Sequence, residues 1–474
     1  MLFNIISPIL YFTGGISVNV EPGVAVRRGI TALTGRNASG KTTFARIIER
    51  GRNFRTNRIV EGSPGPINVK YIEFNDIHSF AADKVGYYQQ RYEATMNDEV
   101  PTVNAVMEPY LDSPLYARWL DALALYGAGQ KKINFLSSGE LRKLLIVKAL
   151  MDAPELIILD NPYIGLDIQS RQSLNSMLCL LPQRGISVML LLSDDGDVPP
   201  FVDNRLYARN MTVSTCPDAV TSTSTDTSLI PPTFQFSTEL QGKPGDEIIS
   251  MRNCRIAYGD ITVQPAVDWT VLGGERWSLS GPNGSGKSTL LSIICADNPK
   301  GYSTPISLFG QRRGTGESIW DIKRRIGYVS PEMQMHFHGS GTVEHIIANG
   351  LNDTVGLYVT PTSRQIEAAK AIMAHFGISG LGARLFRTLS SGERQLVLVA
   401  RAIVKEPLLL ILDEPMHALD ACNRVRVNDT ISRFLLARPD AAFIMVTHNI
   451  SYLPQQINRH LKLIRHADNT SRNK

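Results

Sequence analysis

The feature that most constrains this chain is a phosphate-cradling loop that occurs twice, GRNASGKTT at residues 35 to 43 and GPNGSGKST at residues 281 to 289. In each copy a glycine-rich turn has to run directly into a helix, because only then do successive backbone N–H groups and the helix N-terminus aim at one anion. Gly35 and Gly281 open the turns. Asn37, Ala38 and Ser39 in the first copy, and Pro282, Asn283, Gly284 and Ser285 in the second, carry the backbone round the phosphates. Gly40 and Gly286 allow close backbone approach, and Lys41 and Lys287 bring positive charge to the β- and γ-phosphates. The hydroxyls of Thr42 and Ser288 suit Mg²⁺, with Thr43 and Thr289 following at the start of each helix. The pattern predicts two ATP sites in one polypeptide.

Each loop is followed by a hydrophobic run that ends in acid, ELIILDNP at 155 to 162 and LLLILDEP at 408 to 415. Continuous apolar runs of this length read as strands buried on both faces of a parallel sheet. Asp160 and Asp413 then stand at strand tips, where open α/β sheets bind ligands, and can hold Mg²⁺ through water. The next residue separates the copies. Glu414 is a carboxylate placed to polarise an attacking water, whereas Asn161 is an amide that accepts no proton at neutral pH. About twenty residues before each acid lies a serine-glycine turn that caps a long helix, Ser137, Ser138 and Gly139 in one copy and Ser390, Ser391 and Gly392 in the other. These turns read as a second anion-binding helix start.

Loop, LSSGE turn, acidic strand and the following GLD (165 to 167) and ALD (418 to 420), in that order and in both halves, resemble the ATP-binding cassette family. The resemblance implies an α/β fold of two P-loop nucleotide-binding domains, each with a RecA-like, mainly parallel sheet, an antiparallel β subdomain and a helical subdomain. It also implies an intramolecular head-to-tail pair, each ATP closed between the loop of one cassette and the LSSGE turn of the other. The strongly catalytic site would join Lys287, Ser288, Asp413, Glu414 and His448 to Ser137, Ser138 and Gly139. The degenerate site would join Lys41, Thr42, Asp160 and Asn161 to Ser390, Ser391 and Gly392.

Other family landmarks sharpen the asymmetry. FIMVTHN at 443 to 449 supplies His448 as the switch histidine, while VMLLLSDDGD at 188 to 197 offers only Ser193 or Asp194. Tyr258 is placed to stack adenine, as is Tyr11 or Phe12 in the first half. The glutamine expected at the Q-loop is absent: the first copy offers Asn75 or Asp76, and the second offers Pro331 or Glu332, with Gln334 a little late. That departure puts ordinary coupling to a transporter in question.

The 474 residues leave room for a cored α/β unit in each half. We expect domains at 1–214 and 248–474, joined by a flexible linker at 215–247 that carries TSTSTDTS and a Pro-Pro pair. Cys179, Cys216, Cys254, Cys295 and Cys422 are odd in number and lack metal-ligand spacing, which implies reduced, cytoplasmic thiols. The apolar start MLFNIISPILYFTGG has no basic residue before it and reads as a first strand. No run approaches the roughly 18 apolar residues that span a bilayer, so we expect a cytoplasmic chain; if it works at a membrane, it is peripheral at the inner face and permease subunits supply the channel.

The stretch GYSTPISLFGQRRGTGESIWDIKRRIGYVS, 301 to 330, resembles the ModF branch of the family, tandem cassettes associated with molybdenum transport. Arg312 and Arg313 in its glycine-flanked turn suit either a partner's acidic surface or a plain exposed loop, and Trp320 reads as a core anchor. Two functions stay open: the energy-coupling ATPase of a transport system, with molybdate the cargo that the branch resemblance implies, or a soluble mechanoenzyme acting on a ribosome, nucleic acid or other non-membrane target. The net charge of +5 is modest, and the basic clusters near residues 50 and 320 read as solvated surface.

Overall fold

The structure is a computed structural model that describes residues 2–5, 7–12, 16–50, 60–61, 67–74, 101–122, 129–133, 136, 138–164, 166, 168–217, 240–258, 261–330, 333, 341–352, 360–416, 419–447 and 452–464. The chain divides into two compact units, whose described residues lie within 2–217 and 240–464.

In the first unit the strands Asn204–Arg209, Ile30–Thr34, Ser187–Leu192, Leu156–Asp160 and Val69–Glu73 lie side by side in that order, all parallel. The three in the middle are buried along their whole length, as a parallel sheet covered on both faces requires. Their residues alternate between two cores. Ile157 and Leu159 face one that includes residues of helices Ser138–Leu150 and Ile168–Gln183, while Leu156 and Ile158 face another that includes residues of helix Lys41–Arg50. Short strands extend the sheet beyond Asn204–Arg209: Thr212–Ser214, Ser17–Val20 and Ile9–Tyr11. The chain start is therefore two strands, Phe3–Ile5 and Ile9–Tyr11, the former in a small antiparallel sheet with Ala25–Val26 and Val60–Glu61.

The second unit repeats the plan. Ile326–Val329, Leu409–Asp413, Ala442–Val446, Arg276–Ser280 and Arg459–Lys462 form a parallel sheet in that order. Leu410 and Leu412 face a core shared with helices Ser363–His375, Ser391–Ile403 and Ala421–Ala437; Leu409 and Ile411 face one shared with helix Lys287–Ile294. An antiparallel sheet runs Trp269–Leu272, Glu247–Met251, Ile306–Leu308, Gln311–Arg312. The expected fold class, two α/β nucleotide-binding units with added antiparallel and helical parts, is what the chain adopts.

The polar tract between the halves lies mostly outside the described residues. Its end is held to the second unit: Arg438 donates to the Leu240 carbonyl at 2.9 Å, and the Gly242 amide donates to Asp440 at 3.2 Å. Among the described residues no helix is long and apolar enough to cross a membrane.

The segment after Tyr302 corrects two sequence expectations. Trp320 is 56% exposed and anchors no core, because helix Ile319–Arg325 buries Ile322 instead. Arg313 faces inward: its side chain is 1% exposed and pairs at 2.7 Å with Glu317, itself 5% exposed. Arg312 stays at the surface.

Candidate nucleotide sites

Both phosphate loops leave the tip of a parallel strand and enter a helix with matching geometry. The turn closes through Ser39 N–H to the Arg36 carbonyl and Ser285 N–H to the Pro282 carbonyl, each at 3.2 Å. The helix starts with Phe44 N–H to Gly40 and Leu290 N–H to Gly286, each at 2.8 Å. Gly40 and Gly286 have φ of +101° and +85°, where a side chain is strained. A Cβ at Gly286 would also lie 2.6 Å from Val263 Cγ1. The copies differ at one position: Gly284 has φ +78°, and its counterpart Ala38 is forced to +61°. A non-glycine residue there costs about 1–2 kcal/mol.

The lysines lie across the loops in the same way. Lys41 Nζ donates to the Arg36 carbonyl at 2.8 Å and also to Gly35; Lys287 Nζ donates to Gly281 at 2.7 Å and Pro282 at 3.0 Å. Each ammonium therefore sits at the turn whose N–H groups form the anion cradle, as phosphate binding requires.

In the first unit the strand-tip acid joins the loop. Thr42 Oγ1 donates to Asp160 Oδ2 at 2.9 Å, and Tyr71 Oη donates to the same oxygen at 2.6 Å. A hydroxyl and a carboxylate this close are hard oxygen donors, a set that fits Mg²⁺. Burial, and then the Asp160 charge, push the Tyr71 hydroxyl far above its ordinary range, so it remains a donor. Ser288 and Asp413 are the counterparts in the second unit, the first exposed and the second buried at the tip of Leu409–Asp413.

Asn161 and Glu414 occupy one backbone place. Their amides donate to Leu191 and Val446 of the neighbouring strand at 3.0 and 2.9 Å, and their φ values are +48° and +50°. Asn tolerates this left-handed geometry; for Glu it is strained, and such strain gathers at functional positions. Glu414 is 6% exposed. The Asn161 amide instead closes a hydrogen-bonded network, with Nδ2 donating to Asp160 Oδ1 at 2.8 Å and Oδ1 accepting from Ser193 Oγ at 3.1 Å. Asp194 serves its own loop, accepting from the Gly196 amide at 2.8 Å.

The LSSGE turns behave as helix starts. Ser390 caps helix Ser391–Ile403 in a capping box, its Oγ accepting from Glu393 N–H while Glu393 accepts from the Ser390 amide at 2.8 Å. Ser391 and Gly392 form the first turn. In the first unit Ser138 and Gly139 open helix Ser138–Leu150, while Ser137 lies outside the described residues. Asp420 caps the following helix through the Asn423 amide at 2.8 Å.

His448, Asn75, Asp76, Pro331, Glu332 and Gln334 also lie outside the described residues. Tyr258 ends strand Ile256–Tyr258. Phe12 has the Arg50 guanidinium 4.7 Å from its ring centroid, so a cation faces that candidate adenine platform.

Three features escaped the sequence reading. Tyr71 is one, and its register mate Tyr328 pairs with Ile411 as Tyr71 pairs with Ile158, so the repeat itself was the available signal. A basic residue nine positions before the turn glutamate forms an ion pair in both units, Lys131–Glu140 at 3.2 Å and Arg384–Glu393 at 3.1 Å. Arg142 is the third: it is buried, donates to the Ile164 carbonyl and lies 5.4 Å from the Phe74 ring centroid. Burial lowers its pKa to about 9. Its counterpart Gln395 donates to the Pro415 carbonyl at 3.1 Å.

Comparison with known proteins agrees with this geometry. The family model described as ABC transporter matches residues 15–164 and again 265–417. The ABC transporter ATP-binding protein ModF of Escherichia coli (strain K12) is 31% identical over 467 residues, 91% of this chain and 91% of that protein. The uncharacterized ABC transporter ATP-binding protein C323.04 of Schizosaccharomyces pombe is 29% identical over 92% of this chain and 93% of its own length. Among solved structures, that of the complex of archaeal ribosomal stalk protein aP1 and archaeal ribosome recycling factor aABCE1 aligns with a TM-score of 0.52 at 17% identity. It covers 96% of this chain and 86% of that one, a likeness of fold alone. With a family match in each half and a relative similar along nearly its whole length, the chain belongs to the ABC transporter family, as a tandem pair of ATP-binding domains.

Proposed function

We propose that this chain is an ATPase whose second unit carries out turnover while the first holds nucleotide. The observation that carries this reading is the exchange of Glu414 for Asn161 at one backbone position, with matching amide bonds and matching left-handed φ. In the second unit Lys287 and the loop amides bind and orient the phosphates. Glu414 accepts a hydrogen bond from the attacking water and His448 orients it beside the γ-phosphate. General-base assistance of this kind is worth about 10² to 10⁴ in rate. Ser288 and Asp413 there, and Thr42 and Asp160 in the first unit, would hold Mg²⁺, which neutralises charge on the β- and γ-phosphates. In the first unit Lys41 and Thr42 bind phosphate in the same manner, but Asn161 is tied to Asp160 and Ser193 and takes no proton.

In this reading each nucleotide is completed by the LSSGE turn of the other unit, Ser137, Ser138 and Gly139 on the catalytic pocket and Ser390, Ser391 and Gly392 on the retaining one. ATP-driven closure of the two domains is then the mechanical output. The domains are 1–214 and 248–474, and Tyr258 stacks the adenine of the second site. The likeness to an ABC transporter ATP-binding protein supports coupling that output to a transport system; molybdate is the cargo to test, with permease subunits supplying the channel and this chain at the cytoplasmic face of a membrane.

A second reading, a mechanoenzyme acting on nucleic acid, a ribosome or another non-membrane target, is supported by exposed Trp320 among surface arginines. Affinity isolation of the full chain from native cells separates the two. Recovery of a membrane permease supports transport; recovery of RNA that disappears as salt rises supports the second reading and contradicts the first.

A further inference from the structure

The turn after Tyr302 is built far more rigidly than a connecting loop needs to be. The Glu317 carboxylate accepts from Arg313 at 2.7 Å, from the Gly314 amide at 2.7 Å and from the Thr315 amide at 2.9 Å. Thr315 Oγ1 donates to the Arg312 carbonyl at 2.8 Å, and Ser318 caps the helix that follows. Arg313 Nε and Nη2 have no hydrogen-bond partner among the described residues. Instead the guanidinium lies over the Tyr302 ring, 4.7 Å from its centroid. A buried cation thus fixes an aromatic ring that is itself 54% exposed.

What this scaffold presents outward is specific. Tyr302 and Trp320 are exposed, and Arg324 lies one helical turn beyond Trp320, where side chains four apart share a face. Arg312 is exposed at the sheet edge. Residues 300 to 325 contain six basic and two acidic side chains, so they hold a net +4 of the chain's +5. Arg313 and Glu317 cancel inside the turn and Lys323 pairs with Asp297, which leaves Lys300, Arg312, Arg324 and Arg325 set against Asp321.

We propose that this surface of the second unit binds single-stranded nucleic acid, with Tyr302 and Trp320 stacking bases and Arg312 and Arg324 meeting phosphates. Flat aromatic faces interleaved with cations suit a chain that alternates planar bases with anions. An anionic lipid surface fits less well. Helix Ile319–Arg325 has seven residues, Ile322 is buried and Ile319 packs on the core, so Trp320 is left without the broad apolar face that interfacial helices insert. The proposal deepens the second reading of function and does not depend on which unit hydrolyses ATP.

The test uses the full chain and a fluorescein-labelled single-stranded RNA of about 12 nucleotides, within the span such grooves cover. Anisotropy is read at low and at physiological salt. We expect binding that weakens as salt rises, with Trp320→Ala and Tyr302→Ala each costing about 5- to 100-fold and Trp320→Phe retaining most of the affinity. Arg312→Ala should lower the slope of log affinity against log salt by about one. ATP turnover of the same samples reports whether each variant is folded, and it also keeps a failure of the ATPase reading separable. Absence of RNA binding at low salt, equal affinity in the wild type and both alanine variants, or binding to phosphatidylserine vesicles but not to RNA would each overturn the proposal.

Discussion

Replacing Glu414 by Gln keeps the shape of a nearly buried side chain and removes its ability to take a proton. With general-base assistance worth about 10² to 10⁴ in rate, the barrier at the second site should rise by about 2.7–5.4 kcal/mol, at 1.36 kcal/mol per decade. Asn161→Ala perturbs the equivalent place differently. It removes the bonds to Asp160 at 2.8 Å and from Ser193 at 3.1 Å, and it puts alanine at φ +48°. At about 1 kcal/mol for the neutral bond from Ser193 and about 1.5–3 kcal/mol for the bond to the Asp160 carboxylate, with some strain added, the loss is about 2–4 kcal/mol of stability, or several degrees in Tm. Steady-state ATP turnover by the full chain, with a thermal melt of each variant, reads both quantities. We expect Glu414→Gln to abolish nearly all turnover at little cost in stability, and Asn161→Ala to lower Tm while turnover stays within about twofold, since no proton acceptor is lost. Equal losses of turnover in the two variants would refute the assignment of hydrolysis to the second unit.

Three further outcomes follow from particular residues. Ala38→Gly relieves the left-handed strain at φ +61° and should raise the stability of the first phosphate loop by about 0.5–1 kcal/mol, seen as tighter nucleotide binding in an isothermal titration. Arg142→Gln substitutes the side chain that the second unit uses at the same place. It removes a buried cation whose Nε and Nη1 have no hydrogen-bond partner among the described residues, so it should stabilise the protein by about 1–3 kcal/mol in denaturant unfolding. The third concerns pH. Burial would raise the Glu317 pKa, but the Gly314 and Thr315 amides and the Arg313 charge outweigh it and hold the carboxyl below its ordinary value of 4.5. Its contribution is therefore fully present above that value and is lost as pH falls through the lowered one, which a change in Trp320 fluorescence in acid titration should report.

Much of the backbone at both candidate nucleotide sites was legible because local geometry dictates it. A loop that aims N–H groups at phosphate needs glycine where φ is positive, and Gly40, Gly284 and Gly286 stand where the structure requires them. A strand buried on both faces needs an unbroken apolar run, and the strands ending at Asp160 and Asp413 are buried throughout. The misreadings concern side chains whose fate depends on packing remote in sequence. Arg313 and Trp320 both sit in a short polar stretch, and no period there tells which is turned inward. Arg313 is held inside because Glu317, four residues on, satisfies it in a turn; a tryptophan's apolar bulk gave the opposite expectation for Trp320. Tyr71 was invisible for a related reason: its hydroxyl meets Asp160 only because parallel pairing sets Tyr71 against Ile158. Arg142 reads as one more cation on a helix until the burial of that helix is known.

The most direct test of the two-site account is to count nucleotide retained by the full chain after turnover. The protein is loaded with labelled ATP and Mg²⁺, free nucleotide is removed quickly, and bound ATP and ADP are measured against time. The account predicts one equivalent per chain that stays as ATP over many turnovers, held by Lys41 and Thr42, while a second equivalent converts to ADP and exchanges. Conversion of both equivalents at the same rate, or retention of the unconverted equivalent after Lys41→Ala but not after Lys287→Ala, would contradict it.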